Sequence, residues 1–458
     1  MAKVTTVYSC QQCGSQFPKW MGRCTDCGAW NSLTEERIQK TAKGSSSTAE
    51  TSRTFAVAAP LAQSEGDVKA ERRPTGFSEL DRVLGGGLVR GSLLLFGGEP
   101  GIGKSTLLLQ LAAQLTDSGQ GVLYVSSEES GAQVAARGRR LGLKSLDRLN
   151  FLSTTNLEEA RTSVLDLKPE LVILDSVQTL QDPALESPPG TVSQVRAVAH
   201  SFMELAKVHG RTILLVSHVT KDGVVAGPKL LEHMVDGVFY FELSSTGGYR
   251  MLRGQKNRFG PTHEVAVFEM GSKGLQEVSN PSERFLAERS KEMAGSSVVA
   301  HLEGSRAFLT EFQALVNRCP FGYPRRTVQG LDQNRVSVLM AVAEKQLDIS
   351  FADRDVFCKV ASGNRIEEPA ADLAILFALV SAAYGRALPA DLGLIGEVGL
   401  GGELRSVPAV NARLSELAMV GIKRAFVPQW NLKEAKEVRG IAVESVRSVV
   451  ELSKKIFG

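Results

Sequence analysis

Residues 98–105 read GEPGIGKS, a G-x-x-x-x-G-K-S loop set between the apolar run SLLLFGG and the apolar stretch TLLLQLAAQL. A loop of this kind works only with a strand entering it and a helix leaving it. Its glycines let backbone N–H groups curl around phosphate oxygens, and the first turn of the helix adds its positive end. The chain's centre is therefore expected to be an α/β layer structure around a nucleotide. Gly98, Glu99, Pro100, Gly101, Ile102, Gly103, Lys104, Ser105 and Thr106 are the expected nucleotide-binding residues. Lys104 would reach the β- and γ-phosphates, and the Ser105 hydroxyl would ligate Mg2+ beside ATP.

Downstream, the strand-like runs GVLYVSSE, LVILDS, RTILLVSH and GVFYFEL alternate with amphipathic helical stretches. That alternation predicts a parallel sheet covered on both faces. YRMLRGQK and HEVAVFEM follow and could pair as an antiparallel edge. Phosphoryl transfer needs a second magnesium anchor and a group that orients water. Asp175 ends LVILD, at the strand edge where open α/β sheets bind ligands, and is the anchor expected here. Glu128 in YVSSEES is the expected water-orienting base, with Glu129 as runner-up. His218 closes TILLVSH and reads either as a sensor of the γ-phosphate or as a packing residue. Residues 253–260, RGQKNRFG, cluster Arg253, Lys256 and Arg258 with a ring and a glycine. A solvated turn, a phosphate grip and a nucleic-acid contact all fit that composition.

A chain of 458 residues is too long for one ordinary core, and a net charge of +3 neither demands nor excludes nucleic acid. No apolar run approaches the length of a membrane span, and MAKVTTVYSCQQCG lacks a secretory apolar region, so the chain reads as cytoplasmic with no membrane partner. In that compartment paired thiols suggest metal or redox chemistry. Cys10, Cys13, Cys24 and Cys27 form two C-x-x-C-G knuckles, CQQCG and CTDCG, and four thiolates at one site suit tetrahedral Zn2+. Cys319 and Cys358 stand alone in apolar surroundings and are expected in the core. The predicted division is a zinc knuckle over residues 1–35, a Ser/Thr/Ala-rich linker over 36–66, an ATPase domain over 67–273 and a second α/β domain over 284–458. In the last, NRVSVLMAVAEKQL and DLAILFALVSAAYG read as helices.

TGFSELDRVLGGGLVRGSLLLFGGEPGIGKST resembles the entry of RecA-like ATPases into their P-loop. The four-cysteine knuckle and KNRFG narrow the resemblance to the RadA (Sms) family of bacterial DNA repair proteins. DLGLIGEVGLGGELRSVPAVNARLSELAMVGIKRAFVP is similar to the Lon protease domain that this family carries. The resemblance implies a RecA-like P-loop core with an N-terminal zinc ribbon and a C-terminal Lon-like α/β domain. It also implies a homo-oligomeric, hexameric ring in which Lys256 and Arg258 act on a neighbour's ATP, on DNA, or on both. Single-stranded DNA is expected along the loops after the Asp175 and His218 strands, with Lys221 and Lys229 of TKDGVVAGPKLLEH as its contacts.

The Lon serine motif falls on EEPAAD, Glu367 to Asp372, which puts Ala370 at the serine and Asn411 at the lysine. Neither can do the chemistry, so this domain is expected to be a proteolytically inactive scaffold. Arg325, Arg326 and Arg335 are candidates for a DNA-facing surface or a solvated loop. The function implied is a DNA-stimulated ATPase on single-stranded DNA that promotes branch migration of recombination intermediates, with a recombinase (RecA) as partner. Its rivals are an ATP-gated signalling ring of the KaiC-like kind and an ATP-dependent protease.

Overall fold

The structure is a computed structural model that describes residues 4–10, 15–26, 28–39, 72–218, 228–244, 248–262, 264–282, 289, 292–319, 322–361, 365–435 and 438–458. The chain divides into two compact units, Met1–Leu243 with Tyr249–Glu277, and Ser244–Gly248 with Val278–Gly458.

The first unit begins with a small sheet in which β1 (Val4–Cys10) pairs antiparallel with β2 (Gln16–Phe17) and β3 (Leu33–Gln39). β3 runs four residues beyond the knuckle boundary read from sequence, because Glu35–Gln39 continue the ladder opposite Val4–Tyr8. Their polar side chains look like linker in composition, yet the backbone pairing decides their conformation.

The main sheet has β6 (Leu93–Gly98) at its heart, with β11 (Gly237–Leu243) on one side and β10 (Thr212–Val216), β9 (Leu171–Asp175), β7 (Val122–Ser126) and β8 (Asn150–Ser153) on the other. All of these pairings are parallel. Residues alternate between the two faces: Leu94, Phe96, Ile173 and Leu214 pack on one side, and Leu93, Leu95, Val172 and Ile213 on the other. Burial of both faces explains why these strands read as unbroken apolar runs. The first face is covered by α2 (Lys104–Asp117) and the second by α4 (Leu157–Leu167) and α5 (Val192–His209). β12 (Tyr249–Asn257), β13 (Val265–Gly271) and β14 (Gly274–Glu277) extend the edge as an antiparallel meander, as the sequence suggests for the first two.

Two long-range ties close this unit. Helix α1 (Ser78–Leu84) has no capping side chain of its own at Phe77. The Glu277 carboxylate supplies the cap, accepting the Ser78 N–H at 3.0 Å and the Glu79 N–H at 2.5 Å. At the other end of α1, the Asn257 amide donates to the Leu84 carbonyl at 3.2 Å. Gly260 then lies so close to Gly85 that a Cβ on Gly85 would sit 2.9 Å from the Gly260 Cα. A Cβ on Gly260 would sit 2.8 Å from the Gly85 Cα, so the final glycine of KNRFG is a packing requirement against the LGGG turn.

In the second unit, β15 (Ser296–Glu303), β16 (Arg306–Arg318), β17 (Arg326–Gln329) and β18 (Arg354–Val360) form one sheet. Gln333–Leu347 and Asp372–Tyr384 are two of this unit's helices, as predicted. Cys358 is in the core, where burial pushes its thiol up to about 12. Cys319, expected there too, is only half-buried just past the end of β16.

Among the described residues no helix is long and apolar enough to cross a membrane.

Candidate nucleotide-binding site

Gly98 ends β6 and Lys104 opens α2, so the loop between them is the connection the motif requires. Gly98, Gly101 and Gly103 all have positive φ, at 151°, 77° and 119°. A Cβ on Gly98 would come 2.9 Å from the Phe241 carbonyl, whereas one on Gly101 would meet nothing within 4 Å. The first position therefore answers to close packing and the second to backbone conformation alone. No side chain caps the first turn of α2, where Ser105 and Thr106 are half-buried. Its N–H groups and the loop's are the donors a phosphate would take.

Lys104 is buried, and its Nζ donates to the carbonyls of Gly98 (2.7 Å) and Glu99 (3.0 Å). It also lies 3.2 Å from His218 Nδ1. A protonated lysine makes Nδ1 the acceptor, which leaves the ring proton on Nε2. That nitrogen faces Glu128 Oε1 at 3.5 Å, the outer limit of hydrogen bonding. Ser176 Oγ donates to the same oxygen at 2.5 Å. Lys104 with His218, and Ser176 with Glu128, thus form two bonded pairs set side by side at the carboxyl ends of β6, β10, β7 and β9. The His218 and Ser176 contacts hold the Glu128 carboxyl below its ordinary value, against the opposing effect of burial. Burial pushes Lys104 down to about 8, with Asp175 and Glu128 resisting.

The runner-up base, Glu129, is engaged elsewhere: Arg137 grips both of its oxygens, at 3.1 and 2.5 Å. Asp175 is buried at the end of β9, and Tyr124 Oη donates to its Oδ2 at 2.7 Å. That bond orients the carboxylate through one of its oxygens. Tyr124 escaped the sequence reading because a tyrosine in VLYVS looks like any core aromatic. The signal that could have found it is the register, which sets Tyr124 beside Ile173 and Ser126 beside Asp175. Gln178 was missed as well; its Nε2 bonds Ser217 Oγ (2.7 Å) and the His218 carbonyl (3.2 Å), joining the loop after β9 to the end of β10.

KNRFG stands apart from this cluster. β12 runs antiparallel to β11, and the register sets Asn257 opposite Gly237, which in turn is level with Leu94. Asn257 is therefore four residues from Gly98, or about 13 Å along the strand, and Arg258 lies one residue further, at the amino end of β6. There Lys256 Nζ donates to the carbonyls of Glu232 (2.6 Å) and Val235 (2.8 Å), at the end of α6 (Pro228–Met234). Burial and then the neighbouring Arg258 lower its pKa from the ordinary lysine value. Arg258 Nη1 lies 3.2 Å from Asp236 Oδ1, with more than half of the side chain exposed.

Other expected residues separate by place. Lys221 and the side chain of Lys229 lie outside the described residues, as do Cys13 and Cys27. Cys10 and Cys24 are buried together with Leu33; the Cys10 N–H bonds the Ser15 carbonyl and the Cys24 N–H the Ala29 carbonyl, the same offset of five residues. Two thiols gathered into one cluster fit a zinc site. In the second unit Arg335 is withdrawn from any DNA-facing role. Its Nε bonds Asp372 at 2.7 Å and its Nη2 the Glu368 carbonyl at 2.6 Å, so it braces the helix start instead. Arg325 and Arg326 are exposed. Ala370 is buried and Asn411 exposed, and the fully buried Arg413 engages both oxygens of Glu368.

Residues 59–224 match the AAA domain, 8–35 the rubredoxin metal binding domain, and 334–454 the Lon protease (S16) C-terminal proteolytic domain. Over its full length the chain is 46% identical to the DNA repair protein RadA of Bacillus subtilis, covering 100% of both proteins. The same-named protein of Pseudomonas aeruginosa is 47% identical, again over 100% of each. The chain belongs to the RadA family of DNA repair proteins. It has that family's AAA-type ATPase domain between a zinc ribbon and a Lon-like domain. A RadA chain with this P-loop implies a bound nucleotide with magnesium, and its ribbon implies zinc.

The shifted lysine should make nucleotide binding pH-dependent. Phosphate charge raises the Lys104 pKa, so between the free and bound values the complex holds the extra proton and affinity falls as pH rises. From a free value of about 8, affinity should drop about tenfold between pH 7 and pH 9. Titration of a fluorescent nucleotide across this range checks it, and Lys104→Arg should flatten the profile.

Proposed function

We propose that this protein is a ring-forming, DNA-stimulated ATPase that moves on single-stranded DNA and promotes branch migration of recombination intermediates. The observation that carries the reading is the placement of its two cationic elements. Lys104 lies at the carboxyl edge of the main sheet, and Lys256 and Arg258 at the opposite edge. A chain built this way cannot bring its own Arg258 to its own nucleotide. It offers that arginine outward, where a second copy's P-loop would receive it, and head-to-tail repetition of such a contact closes a ring.

Bound ATP with Mg2+ supplies the transferable phosphoryl group and the divalent charge that stabilises its transfer. Ser105 and Asp175 would hold the metal, Lys104 would grip the phosphates and Glu128 would orient water. As Lys104 turns from His218 to phosphate, the His218–Glu128 pair is left to report the occupied state to the loop that follows β10. That loop and the one after β9 are the proposed DNA contacts, with Lys221 and Lys229 as phosphate-binding residues. The Lon-like domain is proposed as a scaffold without protease activity, because a methyl group stands at the serine position and an amide at the lysine position.

Single-stranded DNA should therefore raise ATP turnover, and the binding should weaken steeply with salt. Each phosphate contact removed, as in Lys221→Ala, should lower the log–log salt slope by about 0.7. Particle images with an ATP analogue and single-stranded DNA should show a ring around the strand. ATPase activity indifferent to DNA would instead favour a signalling ring, and ATP-dependent degradation of casein would restore the protease reading.

A further inference from the structure

We propose that Asp236 is the positioning residue for Arg258, and that it ties this arginine to the strand carrying the same subunit's P-loop. The inference rests on the reading that Arg258 serves a neighbour's nucleotide. Asp236 is almost fully buried at the entrance to β11, and a buried carboxylate must be paired. Its Oδ1 takes Arg258 Nη1 at 3.2 Å, and its main-chain carbonyl takes the Arg258 N–H at 3.0 Å. Its Oδ2 takes Lys207 Nζ at 2.6 Å and the Leu93 N–H at 3.0 Å. Leu93 is the first residue of β6, whose last residue is Gly98.

One carboxylate therefore fixes two things at once: the start of the P-loop strand and the direction of the outward arginine. Side chain and backbone of Arg258 are both held, so its guanidinium is aimed while more than half of the side chain stays exposed. Lys256 is held by the same elbow, through the Glu232 and Val235 carbonyls. A displacement of β6 on nucleotide binding would reach Arg258 through a single residue.

Asp236→Asn keeps an acceptor for Leu93 only by turning its amide donor toward Arg258, and in the other orientation offers Arg258 an uncharged oxygen while Leu93 loses its acceptor. Because misplacement by about 1 Å can cost about 10²-fold in rate, kcat should fall by up to that factor while KM for ATP holds, and the melting temperature should drop as Lys207 loses its charged partner. Added to Arg258→Ala, the substitution should slow turnover no further, since its effect runs through that arginine. Asp236→Glu retains charge for Lys207 and should show a smaller loss confined to kcat, which keeps the test open if the asparagine variant fails to fold. An unchanged or faster kcat in either variant, a loss that appears in KM, or full additivity with Arg258→Ala would overturn the assignment. Arg258→Ala alone retaining full turnover would sink the underlying reading instead, so the two failures are distinguishable.

Discussion

Arg258→Ala should slow ATP turnover by about 10²- to 10³-fold while leaving nucleotide affinity near that of the parent. An arginine supplied across a subunit boundary contributes 10³–10⁵ in comparable phosphoryl transfers, and the retained Lys256 keeps the expected loss toward the lower end. Affinity is spared because the substituted subunit keeps its own loop, Lys104 and Asp175, all at the far edge of the sheet. The decisive form of the experiment mixes this variant with Lys104→Ala. Neither is active alone, but a Lys104→Ala subunit still offers an intact Arg258 to an Arg258→Ala neighbour with an intact P-loop. Turnover should recover in proportion to the fraction of such junctions. Mixed assemblies that stay inactive would assign Arg258 to DNA or to its own subunit.

Lys104→Ala should abolish measurable turnover, by a combined loss of binding and rate. Removing one preorganised charged donor from a developing negative charge costs about 10²- to 10³-fold in rate. Here the same Nζ also bonds two loop carbonyls and faces His218. Its removal leaves buried oxygens and an imidazole nitrogen without their donor, so the loop itself should lose order and nucleotide affinity with it. Binding measured with a fluorescent ATP analogue and turnover measured with and without single-stranded DNA separate the two losses. DNA-stimulated hydrolysis persisting in this variant would remove the P-loop from the mechanism.

Much of this site is written locally. The strand–loop–helix around GEPGIGKS, the aspartate ending LVILD and the histidine ending TILLVSH are readable because each belongs to one apolar strand and its terminus. Their convergence follows from a parallel sheet, which gathers all carboxyl ends on one edge. What was not legible depends on pairings between distant segments. Tyr124 orients Asp175 only because β7 lies beside β9, and Asp236 grips Arg258 only because β11 returns against β12. Arg335 looked like one more cation in PRRTVQGLDQNR until Asp372, 37 residues on, took its guanidinium. Composition also misread Cys319, which is only half-buried. Charge alone cannot distinguish a residue kept for solvent from one committed to a buried partner.

The cap that Glu277 places on α1 has a consequence for synthesis. Ser78 leaves the ribosome about two hundred residues before the carboxylate that completes its helix. A nascent chain can lay down the P-loop strand and its helix early, but α1 keeps unpaired N–H groups until β14 emerges. Closure of the ATPase unit therefore awaits its last strand, so a chain released before residue 277 should lack a native α1 and invite chaperone capture.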